Sequence, residues 1–142
     1  MVELERVLEW AVMGEKTKAW IITVSCGVIL ANLAIATSRM FANYAPVEIS
    51  SAWLNVASFA CGLVLGLVLE RATSIFSGSC LMALIAVLVF SGVVVWVLGT
   101  ALLDIVLLFA FQQSFPRFVS ICVLGLSGAG VSILLKLWLG NL

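Results

Sequence analysis

Histidine is absent from the 142 residues of this chain, and charged side chains make up only 10% of them. Histidine is the commonest metal ligand and the usual general base near neutral pH, so its absence argues against most zinc, copper and haem chemistry. The four cysteines form no CxxC pair, and the sequence contains neither an HExxH nor a GxSxG motif. We therefore expect a protein that is not an enzyme and that holds no metal and no cofactor.

An excess of either charge is also missing, since seven basic residues balance seven acidic ones. Proteins that bind nucleic acid concentrate lysine and arginine on one face or in one segment. No segment of this sequence does so. We expect no nucleic-acid partner.

Apolar residues are what the sequence has in abundance: they make up 64% of the chain, and the mean hydropathy is +1.28. Soluble domains are about 45 to 50% apolar and about 25% charged. A chain of this length has too little interior to bury so much apolar surface, so we expect membrane lipid to cover much of it. The composition predicts one all-α integral membrane domain over residues 1–142.

Four hydrophobic segments are predicted to be transmembrane helices, preceded by an amphipathic N-terminal helix. The N-terminal helix covers residues 2–14 and carries leucine and valine on one face and mostly glutamate on the other. The predicted spans cover residues 20–37, 51–69, 81–111 and 118–139. Residues 112–117 are expected to form a turn, because Pro116 lacks the N–H that a helix interior needs.

The third segment leaves two alternatives open. Residues 81–111 carry a single charged residue, Asp104. As one helix they would be about 46 Å long, against a hydrocarbon core of about 30 Å. Gly99–Thr100 would instead divide them into a full span and a shorter re-entrant piece. We favour one long helix, tilted or kinked, because two complete spans would leave each of them too short.

Small residues recur at every third or fourth position of two predicted spans, which places them on one face of each helix. They are Ser58, Gly62 and Gly66 on the second span, and Gly125, Gly128 and Ser132 on the fourth. In membrane helices such stripes allow two backbones to come close. We predict that these residues pack helix against helix.

Three polar residues lie within apolar segments: Asn32, Asn55 and Asp104. Polar groups are costly inside a membrane, and so they mark candidate functional sites. We expect Asn32 to hydrogen-bond to a neighbouring helix. Asp104 is expected at the outer interface, near the loops bearing Arg39 and Arg117, where it either forms an ion pair or takes part in a proton or cation relay.

The basic residues predict the orientation of the chain. Four spans place both termini on the same side of the membrane, and five of the seven lysines and arginines fall on that side. Cytoplasmic loops of membrane proteins carry an excess of these residues. We therefore expect a multi-pass protein with both termini in the cytoplasm.

Two functions fit these features. The first is a non-catalytic subunit that packs its helices into a larger membrane complex or a homo-oligomer, because the recognisable features are packing features. Its partners would be membrane lipid and either other membrane subunits or further copies of itself. The second is a small oligomeric transporter or channel for a small solute or ion, with Asp104 and the two asparagines in its pathway.

Overall fold

The computed structural model describes residues 14–38, 50–69, 71–99 and 103–140. Within these ranges the chain forms four helices. They are α1 (Glu15–Ala36), α2 (Ala52–Val68), α3 (Ala72–Leu98) and α4 (Leu103–Gly140). The prediction of an all-helical fold is confirmed for the described part of the chain. Of the predicted N-terminal amphipathic helix, residues 2–13 lie outside the described ranges.

Three of these helices, α1, α3 and α4, are long and apolar enough to cross a membrane. The fourth, α2, is also apolar but has 17 residues. At that length it measures about 26 Å, slightly less than the hydrocarbon core of a bilayer. Length and composition are therefore consistent with a membrane protein.

The helices pair in parallel across the bundle. Gly78 of α3 lies against Thr23 of α1, and one turn further along both helices the Met82 carbonyl lies against Gly27. Helices α2 and α4 are parallel in the same sense, whereas α3 and α4 form an antiparallel hairpin. These two parallel pairs share the most extensive contacts in the bundle. Consecutive helices thus alternate in direction around a core that includes Leu30, Leu65 and Met82, none of which is exposed to solvent.

Residues 81–111 do not form one helix, so the helix that we favoured for them is wrong. Helix α3 ends at Leu98, and Gly99 follows with a φ of 77°. This backbone conformation is accessible to glycine but costly for residues with a Cβ. Nor is the next segment a short re-entrant piece, because α4 begins at Leu103 and continues for 38 residues.

The predicted turn over residues 112–117 is also wrong, because α4 passes through Pro116 without ending. Proline removes the N–H that would bond the Gln112 carbonyl. In apolar surroundings helices tolerate such a loss where nearby groups compensate for the disturbed backbone. Here the Arg117 side chain donates from Nη1 at 2.7 Å to the carbonyl of Gln113, the residue after the one whose carbonyl loses its partner. The continuation places Arg117 inside a helix rather than in a loop.

Candidate functional site

Helices α2 and α4 meet along their small residues. A Cβ added to Gly62 would collide with the backbone carbonyl of Gly125, and one added to Gly128 would collide with the carbonyl of Phe59. Further along, a Cβ on Gly66 would collide with Ser132 Oγ. The two backbones therefore touch within one chain. We call this contact the α2–α4 seam.

The two serines of the seam keep their hydroxyl groups satisfied within their own helices. Ser58 Oγ donates to the Leu54 carbonyl at 2.7 Å, and Ser132 Oγ donates to the Ala129 carbonyl at 2.7 Å. Both serines are buried. Hydrogen bonding to their own helices leaves the seam free of unsatisfied serine hydroxyls.

A lysine of α4 forms a hydrogen bond with the C-terminal end of α2. Lys136 Nζ donates to the carbonyl of Leu69, the residue that caps α2, at 3.0 Å. A cation near the C-terminal end of a helix is favourable because the last carbonyls lack partners within the helix. This contact links the ends of the two parallel helices.

The structure does not bring together the three polar residues predicted for a pathway. Asn32 is exposed, and its Nδ2 donates to the carbonyl of Val28 in its own helix at 2.9 Å. The expected bond to a neighbouring helix is therefore not seen in the described part of the chain. Asn55 lies on α2 at a polar groove. Asp104 is exposed in the first turn of α4 and lines a different, apolar groove between α3 and α4.

The ion pair expected for Asp104 is not formed with Arg117. The two residues are 13 positions apart on one continuous helix. That separation corresponds to about 20 Å along the helix axis, far beyond ion-pair distance. Arg39, the other expected partner, lies outside the described residues.

The prominent polar feature is a groove around Arg117, which the sequence analysis missed. The guanidinium of Arg117 is half-buried and lies over the Phe90 ring, 4.5 Å from its centroid. Its Nη1 atom donates to the carbonyl of Gln113 and lies 3.4 Å from the side-chain oxygen of the same residue. Phe90 is only 1% exposed, so the ring is a rigid floor beneath the cation.

This groove, which we call the Arg117 groove, lies where α1 ends, α2 begins and α4 passes Pro116. Its volume is about 610 Å³. Apart from Arg117, its polar lining consists of Thr37, Ser51, Asn55, Gln112, Gln113 and Ser120. None of its described lining residues is acidic. The groove therefore presents one positive charge surrounded by neutral hydrogen-bonding groups.

The chemistry of the groove suits binding better than reaction. Its hydroxyl groups have no general base beside them among the described lining residues, so none is activated as a nucleophile. In the described ranges no group of three or more cysteine, aspartate or glutamate side chains could hold a metal ion. Comparison with protein-family models, curated proteins and solved structures found no match.

Proposed function

We propose that this chain is an integral multi-pass membrane protein and a non-catalytic subunit that packs into a larger membrane complex or a homo-oligomer. The apolar outer surface of the long helices carries this proposal. Trp96 is 83% exposed and Leu108 is 69% exposed, and many other large apolar side chains point outward with them. Such a surface is unfavourable in water, whereas lipid or another membrane protein can cover it.

The surface offered to a partner is the tip of the α3–α4 hairpin, residues 96–98 and 103–111. Thr37 and Ser51 share a groove with Gln112 and Gln113, so these residues mark the level at which α1 ends and α2 begins. The part of α4 before Gln112 continues past that level for about 14 Å. Several apolar side chains of this part, Leu107, Leu108 and Phe111 among them, are at least half exposed in the described structure. A helix from another subunit or a second copy would cover them.

A native mass spectrum of the protein, extracted gently from its own membrane, tests this proposal. We expect a mass that contains other chains or several copies of this one. Leu108→Gln should release the chain, because it places a polar amide in the apolar contact. Leu134→Gln is the matched control, since Leu134 is 66% exposed at the other end of α4. A lone wild-type chain, or equal release by both variants, would contradict the proposed contact.

A small oligomeric transporter or channel for a small solute or ion is the second candidate, and the polar surroundings of Asn55 favour it. In this candidate Asp104 carries a proton or cation. We then expect Asp104→Asn to abolish cation flux in liposomes while the helix content, measured by circular dichroism, stays the same. Unchanged flux would remove Asp104 from the pathway.

A further inference from the structure

Arg117 has hydrogen-bonding capacity that the described structure does not use. A guanidinium carries five N–H donors and loses favourable hydration when it is buried. Within the described residues both of its hydrogen-bonding contacts come from Nη1 and go to Gln113. Among the described residues no group accepts a hydrogen bond from Nη2 or Nε. The guanidinium lies over the face of the Phe90 ring, which favours a cation at this position.

The other polar side chains of the Arg117 groove add donors around this cation. Asn55 and Gln112 carry amide N–H groups, and Ser51 and Ser120 carry hydroxyl groups. Guanidinium groups bind carboxylate and phosphate oxygens through two parallel hydrogen bonds. One fixed positive charge with neutral donors matches a singly charged phosphodiester or phosphate.

We propose that the Arg117 groove binds a phosphate-bearing anion, either the headgroup of an anionic phospholipid or free phosphate. The guanidinium supplies the charge and a bidentate contact, and the amides and hydroxyls of the groove hydrogen-bond to the remaining oxygens. Binding of a phospholipid headgroup requires the proposed membrane insertion, whereas binding of free phosphate does not. Either ligand would bind to a single chain, so the proposed site does not depend on the proposed role as a subunit.

The test is a lipid titration of the full chain in lipid-free detergent, followed by native mass spectrometry. The probes are phosphatidylglycerol, a diacylglycerol without phosphate, and inorganic phosphate. We expect one tightly held phosphatidylglycerol per chain and no such binding of diacylglycerol. Arg117→Gln should weaken this binding about tenfold, and Arg117→Lys less so, because lysine keeps the charge but not the bidentate geometry.

Two kinds of variant separate binding from folding and from net charge. Lys16→Gln removes the same charge from an exposed position at the opposite end of α1, and it should leave binding unchanged. Asn55→Ala and Gln112→Ala alter exposed side chains of the groove and spare the core. Each should weaken binding about threefold, the effect of one lost hydrogen bond. These two variants keep the test decisive if Arg117→Gln does not fold.

Each outcome has one meaning. Binding of inorganic phosphate but not of phosphatidylglycerol, lost in Arg117→Gln, supports the proposal with free phosphate as the source. Equal binding of phosphatidylglycerol and diacylglycerol, or binding that no groove variant alters, overturns it.

Discussion

Gly62→Ala is expected to lower the free energy of unfolding by about 3 kcal/mol, at the upper end of what overpacking usually costs. The added Cβ would collide with the carbonyl of Gly125. Both groups belong to helix backbones, so no side-chain rotation relieves the collision. The two helices have to separate, which also loosens the contact of Gly66 with Ser132 further along the seam. Reversible unfolding in mixed micelles of dodecyl maltoside and dodecyl sulfate, followed by circular dichroism, measures the change.

Gly130→Ala is the matched control for this variant. Gly130 lies on α4 between the residues of the seam, but a Cβ there would have no neighbour within 4 Å. Alanine has the higher helix propensity, so this change should be neutral or stabilise the protein by up to about 1 kcal/mol. Gly62→Ala as stable as Gly130→Ala would contradict the close approach of α2 and α4.

Phe90→Ala is expected to lower the free energy of unfolding by about 4 kcal/mol, in the range measured for phenylalanine truncations in protein cores. Phe90 is among the largest side chains that are fully buried in the described structure. Its removal leaves a cavity and also takes away the ring over which the Arg117 guanidinium lies. The same micelle unfolding assay measures the loss.

Two further variants show which part of this loss comes from the ring. Phe90→Leu keeps most of the volume but removes the aromatic face, so it should cost clearly less than Phe90→Ala and still weaken ligand binding in the Arg117 groove. Phe76→Ala removes a ring from the same helix at a position that is 59% exposed. Its effect should stay within about 0.5 kcal/mol. A loss as large as that of Phe90→Ala would show that burial does not govern these effects.

The Arg117 groove was beyond the reach of sequence reasoning, although each of its residues is visible in the sequence. Arg117 follows a proline, and the local rule that proline ends helices assigned it to a turn. The groove is lined by residues of α2 and α4 and by Thr37 at the end of α1, and Phe90, whose ring lies beneath Arg117, is 27 residues away from it along the chain. A proline inside a long apolar helix, followed at once by an arginine, is the signal that could have indicated it.

Which of two helix-breaking residues ends a helix was likewise decided by the tertiary structure. Gly99 and Pro116 both disfavour a continuing helix, and local rules gave the greater weight to proline. In the structure the chain leaves the helix at Gly99, which adopts a positive φ that is accessible to glycine. Helix α4 continues through Pro116, where the Arg117 side chain bonds a neighbouring carbonyl. The bundle as a whole therefore overrides the stronger of the two local preferences, that of proline.

The sequence by itself determined what depends on composition and on spacing along one helix. The abundance of apolar residues predicts long apolar helices, and the recurrence of small residues places Gly62 and Gly66 on one face. Only the tertiary structure decided that this face meets Gly125 of the same chain in a parallel pair, and that Arg117 lies over Phe90. The physical reason is that periodicity reports which residues share a face. It carries no information on which face of a distant helix comes to lie opposite.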